Sequence, residues 1–165
     1  MDMNLEIEKV KVENKAVLKN LMELYKYDFS EFDPEDVNEH GLYEYMYLDH
    51  YFTEENRFPF FIKVDGKYAG FALIREVEES NRTYYSMSEF FVMKKYRKSG
   101  VGKRAAFRLF CKFHGEWEVA EIEENIPAQA FWRKIISAYT NNEYREIKKE
   151  SWDGPIQVFH SRGSI

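Results

Sequence analysis

The amino-terminal part of the chain changes from a strand-like to a helix-like pattern of apolar residues. Leu5 to Val12 alternates apolar and polar side chains imperfectly, which predicts a strand. A helix capped near Asn14 follows, because apolar residues then recur at helical spacing. They are Val17, Leu18, Leu21 and Tyr25. The acidic, proline-containing segment 28–36 ends this helix, and a second amphipathic helix containing Leu42, Tyr45 and Met46 is expected before the polar turn at 53–56.

The middle of the chain has the pattern of antiparallel strands. Two strands, Phe58 to Val64 and Tyr68 to Glu76, are separated by Asp65 and Gly66, a pair typical of a tight hairpin turn. The segment Thr83 to Met93 is rich in tyrosine, phenylalanine and valine, and it predicts a central strand that ends in a basic stretch.

From Gly100 onwards the apolar residues first recur at helical spacing. Strand and helix patterns then alternate along the chain. The first helix has Val101, Ala105, Leu109 and Phe113 on one face, and Gly115 ends it. A strand over Trp117 to Glu123 follows. Asn125 and Pro127 then begin a helix whose apolar face is Ala128, Phe131, Trp132, Ile135, Ile136 and Tyr139. Two short strands are expected around Tyr144 to Ile147 and Ile156 to His160.

This order of elements predicts an α/β (α+β) fold, with a mixed, mostly antiparallel sheet and helices on both faces. The 165 residues are 44% hydrophobic and contain no repeats or interdomain linkers, so residues 1–165 are expected to form a single domain with one core. An aromatic content of 18% excludes a disordered chain.

Charge is distributed unevenly. The chain has 29 acidic and 24 basic residues, a net charge of −5 that argues against nucleic acid as a partner. The segment from Glu23 to Glu55 alone carries eleven acidic residues and one basic residue, a net of −10, which leaves +5 for the remainder. Six basic residues and no acidic one lie between Lys94 and Arg104. Either run is consistent with a solvated face or with a binding surface.

The first ten residues lack the pattern of a signal peptide, and no apolar run is long enough to cross a membrane, so we expect no membrane association. A single cysteine, Cys111, fits a reducing, cytoplasmic location and is expected to be a packed thiol. The four histidines have no metal-ligand spacing, so no metal site is predicted. The oligomeric state stays open, with a homodimer as one alternative.

The segment RKSGVGKRA, from Arg97 to Ala105, carries the most chemical information. It lies between a predicted strand and a predicted helix, where glycines leave several amides directed at one point and the helix dipole adds positive potential. A Walker A loop fails to match, because its upstream glycine and its Ser or Thr are missing. A dinucleotide fingerprint fits Gly100, Gly102 and Ala105 but belongs directly after a first strand. The segment therefore predicts a site for a pyrophosphate-sized anion.

A third interpretation comes from a family resemblance. The RxxGxG motif between strand and helix, followed by the segment NxxAxxFW at Asn125 to Trp132, resembles the core of the GNAT family of N-acetyltransferases. The order of elements over nearly the whole chain is similar as well. The resemblance implies acetyl-CoA as co-substrate, a splayed central strand, and transfer of an acetyl group to an amine by direct attack in a ternary complex.

The resemblance also implies residue roles. Phe91, Val92 and Met93 would end the splayed strand and pair with pantetheine, and the Val92 amide would polarise the thioester carbonyl. Arg97 and the following loop would hold the pyrophosphate, Asn125 and Ala128 would bound the pantetheine, and Phe131 and Trp132 would pack near it. The loop residues are Lys98, Ser99, Gly100, Val101, Gly102 and Lys103.

Two positions concern the proton transfers. Trp132 stands where the family commonly has a tyrosine that protonates the leaving thiolate, and indole cannot replace it. Tyr139 is a weak substitute that more simply packs in the core. Glu89, near the end of the central strand and beside Phe90 and Phe91, is the expected base, with a solvent-facing or substrate-pairing role as the alternative. Ser86 and Ser88 on the same strand are expected to be surface hydroxyls.

In the GNAT fold that the resemblance implies, the acidic segment from Glu23 to Glu55 would line the site of the acceptor substrate. A cationic amine is therefore the expected acceptor. Nearby tyrosines could stack on such a cation. Two alternatives remain: a non-catalytic acyl-CoA-binding or regulatory module, which the missing tyrosine favours, and an acidic protein that binds a basic partner.

Overall fold

One seven-stranded sheet organises the chain, and its strands follow the order β1-β2-β3-β4-β5-β7-β6. The computed structural model describes residues 3–162. The strands are β1 Leu5–Lys9, β2 Arg57–Val64, β3 Lys67–Glu79, β4 Arg82–Val92, β5 Gly115–Ala120, β6 Arg145–Lys149 and β7 Trp152–Ser161. The helices are α1 Lys15–Phe29, α2 His50–Thr53, α3 Val101–Lys112 and α4 Ile126–Thr140. All strand pairs are antiparallel except β4 and β5, which confirms the predicted mixed sheet.

Helices cover both faces of the sheet, as predicted, because alternate residues of the central strands point to opposite sides. Phe61, Phe71 and Leu73 pack against Leu18 and Met22 of α1. Their neighbours on the same strands face the other side, where α3 and α4 lie. That second layer contains Phe60, Ala72, Ile74, Ala106, Leu109, Phe110, Ile135 and Ile136.

Short-range turn chemistry was predicted correctly at the β2–β3 hairpin. Asp65 and Gly66 both have positive φ values, 51° and 78°, as a two-residue hairpin turn requires. Boundaries differ elsewhere: β1 ends at Lys9, and Val12, expected in that strand, lies 65% exposed in a short 3-10 helix. β5 begins at Gly115 and ends at Ala120, earlier than the expected Trp117 to Glu123.

The predicted second amphipathic helix is wrong. Residues around Leu42, Tyr45 and Met46 form turns and irregular structure, and only the four residues of α2 are helical in this part of the chain. Glu44 has a φ of 57°, which a right-handed helix does not allow. The Glu23 carboxylate accepts hydrogen bonds from the amides of Tyr43 and Glu44, at 2.8 and 2.7 Å, and Met46 is 79% exposed. A contact from α1 therefore fixes this loop in place of a helix.

Candidate functional site

A gap opens between the two parallel strands in the middle of the sheet. β4 and β5 pair only at Tyr85 with Trp117 and at Ser86 with Glu118. Beyond these pairs β4 continues to Val92 beside β3, and β5 continues beside β7. The carboxyl-terminal half of β4 therefore has one edge without a strand partner, which is the splayed geometry expected of the central strand.

The backbone of Val92 points into this gap. The amide of Met93 donates to the carbonyl of Ala69 at 2.8 Å, and Val92 is paired with Gly70. In an antiparallel ladder this makes Gly70 and Val92 a pair without mutual hydrogen bonds, so the N–H and C=O of Val92 point away from β3. By the same alternation Phe90, opposite Ala72, also directs its backbone groups into the gap. A ligand that lies in the gap can therefore accept hydrogen bonds from the amides of Phe90 and Val92, whereas the Val92 carbonyl already accepts one from Arg97 Nε at 2.7 Å.

A β-bulge decides where Glu89 points. Leu73 is paired with Glu89 and Ile74 with Met87, so Ser88 is an extra residue on β4. Met87 packs on the α3 and α4 side, and without the bulge Glu89, two residues on, would face the same side. The extra residue reverses the alternation, and Glu89 faces α1 instead.

Glu89 is partly buried among aromatic rings on the α1 side. The Tyr25 hydroxyl donates to its Oε2 at 2.8 Å, and the Tyr25 ring lies 5.5 Å from that of Phe71 and 5.6 Å from that of Phe91, centroid to centroid. Burial raises the pKa of Glu89 to about 7, although the hydrogen bond from Tyr25 and the charges of Lys26 and Arg75 lower it. A carboxylate with that pKa can both accept and release a proton near neutral pH.

The Tyr25–Glu89 hydrogen bond gives a prediction on pH dependence. If Glu89 acts as a base, wild-type kcat/KM rises with pH through about 7, because the carboxylate is the active form. Tyr25→Phe removes a donor that stabilises the carboxylate, so the pKa of Glu89 increases and the acidic limb moves to higher pH. Turnover rates measured from about pH 5.5 to 9 on both proteins check this. An unmoved limb would show that Tyr25 does not act on the titrating group.

The loop after β4 leads into an uncapped helix. Lys98 and Gly100 have φ values of 61° and 83°, and Gly100 precedes the first residue of α3. No side chain caps this helix, and the first amide bonded within it is that of Arg104, which donates to the Gly100 carbonyl at 3.0 Å. The amides of Val101, Gly102 and Lys103 therefore have no partner in the helix and point out of its end. The Val101 side chain is fully buried, so only its backbone is available to a ligand.

The basic side chains of this segment divide into two groups. Arg97 donates through Nε to the Val92 carbonyl at 2.7 Å and through Nη2 to Asp28 at 2.6 Å, which ties the end of β4 to α1. Arg104 donates to the Met3 carbonyl at 3.1 Å. Lys98 and Lys103 are exposed. Positive charge beside the loop therefore comes from the two lysines, while the two arginines hold neighbouring elements together.

Ser99 and α4 supply the remaining predicted site residues. The Ser99 hydroxyl donates to the Tyr96 carbonyl at 2.6 Å, and Asn125 caps α4 by accepting from the Ala128 amide at 3.1 Å. Phe131 is 36% exposed beside the start of α3, where a Cβ at Gly102 would lie 3.0 Å from its ring. α4 therefore lies directly against the first turn of α3.

Trp132 lies in the core. It is 7% exposed, and its ring is 5.0 Å from those of Phe90 and Phe131, centroid to centroid. Tyr139 also packs in the core, as expected, 5.1 Å from Phe110, with its hydroxyl 2.9 Å from Ser161 Oγ and 3.7 Å from Cys111 Sγ. No tyrosine therefore takes the place of Trp132 from this helix.

Many carboxylates of the acidic segment have structural partners. Besides Glu23 and Asp28, Glu35 pairs with Lys26 at 2.6 Å, and Asp49 pairs with Lys15. Glu31, Asp36, Glu44 and Glu55 are exposed, and the structure records no ion pair for them within residues 3–162. The negative potential of this side therefore comes from a subset of the acidic residues.

Two features of the site were not predicted from the sequence. Tyr25 was predicted as a helix residue, but its hydrogen bond to Glu89 joins residues 64 positions apart. The bulge at Ser88 leaves no signal in the apolar pattern, because Phe90 and Phe91 are both apolar. Within residues 3–162 no cluster of three His, Cys, Asp or Glu side chains could hold a metal ion, and no helix is long and apolar enough to span a bilayer.

Comparison with known proteins agrees with this geometry. Residues 18–136 match the model of the acetyltransferase (GNAT) family. An acetyltransferase from Thermus thermophilus superposes with a TM-score of 0.71 at 14% identity, covering 95% of this chain and 97% of its own. An aminoglycoside acetyltransferase in complex with coenzyme A gives 0.67 at 11% identity, covering 95% of each chain.

The ribosomal-protein-S18-alanine N-acetyltransferase from Escherichia coli gives a TM-score of 0.63 at 12% identity, covering 98% of this chain and 96% of its own. A search of curated proteins gave no significant match. At these identities the solved structures establish the fold, and the match over residues 18–136 is the finding that bears on the family.

Proposed function

Because the chain belongs to the GNAT family of acetyltransferases, we propose that it binds acetyl-CoA in the gap between β4 and β5 and transfers the acetyl group to an amine by direct attack in a ternary complex. The observation that carries the proposal is the unpaired edge of β4, with the backbone of Val92 directed into the gap. Glu89 lies on the same half of β4, and the uncapped start of α3 follows this strand after the loop.

The residues around the gap fit an acyl-CoA. The amides of Val101, Gly102 and Lys103, with Lys98 beside them, suit the pyrophosphate, since helix amino termini and lysines both stabilise phosphate groups. Met93 directs its amide to β3, so Phe90 and Val92 are the residues whose amides would pair with the pantetheine. A related fold has been solved with coenzyme A bound, which supports this assignment. For Arg97 the proposed role is to orient the edge of β4 rather than to contact phosphate directly.

Bound acetyl-CoA supplies the electrophilic thioester carbonyl. The Val92 amide donates to the carbonyl oxygen, which stabilises the negative charge that develops there. Glu89 accepts a proton from the acceptor amine, either directly or through one water, since only the neutral amine attacks. The buried Trp132 has no acidic proton to give, so water protonates the leaving thiolate in this proposal.

The proposed acceptor is a cationic amine. The exposed carboxylates of the acidic segment attract a positive charge to the side of the sheet that Glu89 faces. Two proteins of similar structure are an aminoglycoside acetyltransferase and a ribosomal-protein-S18-alanine N-acetyltransferase. The fold is therefore compatible with acceptor amines of very different size.

One observation favours a second candidate, a non-catalytic acyl-CoA-binding module. Trp132 replaces the residue type that commonly protonates the thiolate, and it is buried in the core. Release of free thiol from acetyl-CoA in the presence of a panel of primary amines separates the two functions. Turnover with any amine supports the transferase, whereas binding of acetyl-CoA without turnover across the panel supports the module.

A further inference from the structure

An arginine without a carboxylate partner among residues 3–162 lies on the same face of the sheet as Glu89. Phe71 and Leu73 of β3 face α1, so Arg75, two residues further along, faces the same side. Its Nε donates to the Ser88 hydroxyl at 2.9 Å, on the bulge directly before Glu89. Arg75 is also one of the charges that lower the pKa of Glu89, so its guanidinium lies within electrostatic reach of the carboxylate.

Arg75 lacks the carboxylate partner that several arginines have, and in this it resembles Arg104, whose recorded hydrogen bond is to the Met3 carbonyl. Arg82, Arg97 and Arg133 each pair with at least one carboxylate at 2.8 Å or less. Arg75 is partly buried, yet no ion pair joins it to a carboxylate anywhere in residues 3–162, and its recorded hydrogen bond is to a neutral hydroxyl. A partly desolvated guanidinium with only a neutral partner is unfavourable, and its remaining N–H groups form the fork that binds a carboxylate with two hydrogen bonds.

The surroundings of Arg75 leave room for a ligand. A groove of about 400 Å³ is lined by Asn56, Arg75, Glu76, Val77 and Glu78, where β3 extends past the first residue of β2 and keeps only β4 as a strand partner. By the alternation of β3, Glu76 and Glu78 point to the other side of the sheet from Arg75 and Glu89. On the side that Arg75 and Glu89 share, a zwitterion suits the site, because its carboxylate is attracted by Arg75 and its ammonium by Glu89.

We propose that the acceptor amine carries a carboxylate a few bonds from its nitrogen, and that Arg75 binds this carboxylate while Glu89 receives the proton of the amine. This inference rests on the proposed acetyl transfer and specifies its substrate class. Arg75 and Leu73, the residue paired with Glu89, are two positions apart on β3, which is about 7 Å along the strand. Short amino acids, with the amine on the α carbon or a few carbons further out, match that spacing.

The experiment measures kcat/KM for acetylation of matched pairs: each amino acid of a panel and its own carboxamide. The panel contains α-amino acids and linear ω-amino acids of two to six carbons. For the best pair we expect the acid to be preferred about 10- to 100-fold, the factor expected from charged hydrogen bonds. Arg75→Gln is expected to bring the acid-to-amide ratio close to one and to raise KM for the acid.

Controls distinguish a lost contact from a damaged protein. Arg145→Gln removes an arginine from an exposed position on β6 and should leave the ratio unchanged. Arg75→Lys keeps the charge but loses the fork, and an intermediate ratio is expected. Because Arg75 also acts on the pKa of Glu89, the ratio of two substrates is compared rather than either rate, and the thermal shift given by acetyl-CoA confirms an intact cofactor site.

The possible failures are distinguishable. If amines are acetylated but carboxylates and carboxamides react equally, or if Arg75→Gln or Arg75→Lys keeps the full preference of the wild type, the inference about Arg75 is wrong and the proposed acetyl transfer stands. If acetyl-CoA does not bind, or if no amine in any panel is acetylated, the proposed function itself fails and the inference fails with it.

Discussion

Replacing Gly102 with glutamate is expected to abolish the thermal stabilisation that acetyl-CoA gives to the wild-type protein. A ligand at about 100 times its Kd stabilises a protein of this size by roughly 5–10 °C in Tm. Gly102 lies in the first turn of α3, where the amides without helical partners would meet the pyrophosphate. A carboxylate there brings a negative charge close to the bound pyrophosphate. Differential scanning fluorimetry with and without acetyl-CoA measures the effect.

Gly102→Ala is the matched control for this variant. A Cβ at this position lies 3.0 Å from the Phe131 ring, so both substitutions require a small movement of that ring, but only glutamate adds charge. The alanine variant should therefore keep most of the stabilisation by acetyl-CoA. Equal loss in both variants would mean that contact with Phe131, and not anion binding, explains the effect.

Glu89→Gln is expected to lower kcat by about 10²- to 10⁴-fold and to leave the affinity for acetyl-CoA unchanged, because the residue faces α1 and not the start of α3. The substitution keeps the shape of the side chain, and the Tyr25 hydroxyl can still donate to the amide oxygen. Steady-state rates at saturating substrate give kcat, and titration with acetyl-CoA gives the affinity.

The stability of the same variant separates loss of chemistry from loss of fold. Folding raises the pKa of Glu89 from 4.5 to about 7, so between these values the folded state holds more protons than the unfolded state. The contribution of Glu89 to stability therefore falls as pH rises through that range. A glutamine cannot ionise, and Glu89→Gln should have a Tm at about pH 8 at least as high as that of the wild type. The exposed Glu150→Gln, outside the acidic segment, serves as control and should change neither kcat nor Tm.

The sequence predicted those parts of the fold that depend on neighbouring residues. The turn at Asp65 and Gly66 and the cap of α4 by Asn125 follow from local backbone chemistry, and both are found. The helix expected around Tyr45 failed because the apolar spacing is helical, whereas the backbone is fixed by Glu23, 20 residues before Tyr43. Periodicity does not report such a tertiary contact.

The same limit applies to the candidate site. The glycine loop and the start of α3 were recognised, since a short motif encodes them. The direction of Glu89 depends on one extra residue at Ser88, and the ion pair between Arg97 and Asp28 joins residues 69 positions apart. The unpaired state of Arg75 within residues 3–162 can be judged only when all its spatial neighbours are known. Which charged side chains are paired depends on contacts between residues far apart in the sequence, and composition does not report those contacts.

Direct transfer from acetyl-CoA to an amine held in the same site can be distinguished by initial-rate kinetics from transfer through an acetylated protein. Rates are measured over a grid of acetyl-CoA and acceptor concentrations, together with the amounts of N-acetyl product and free CoA thiol. Direct transfer predicts intersecting reciprocal plots, product and thiol in equal amounts, and no acetylated protein by mass spectrometry. Parallel plots with an acetylated protein would contradict direct transfer, and binding of acetyl-CoA without product from any amine would contradict catalysis altogether.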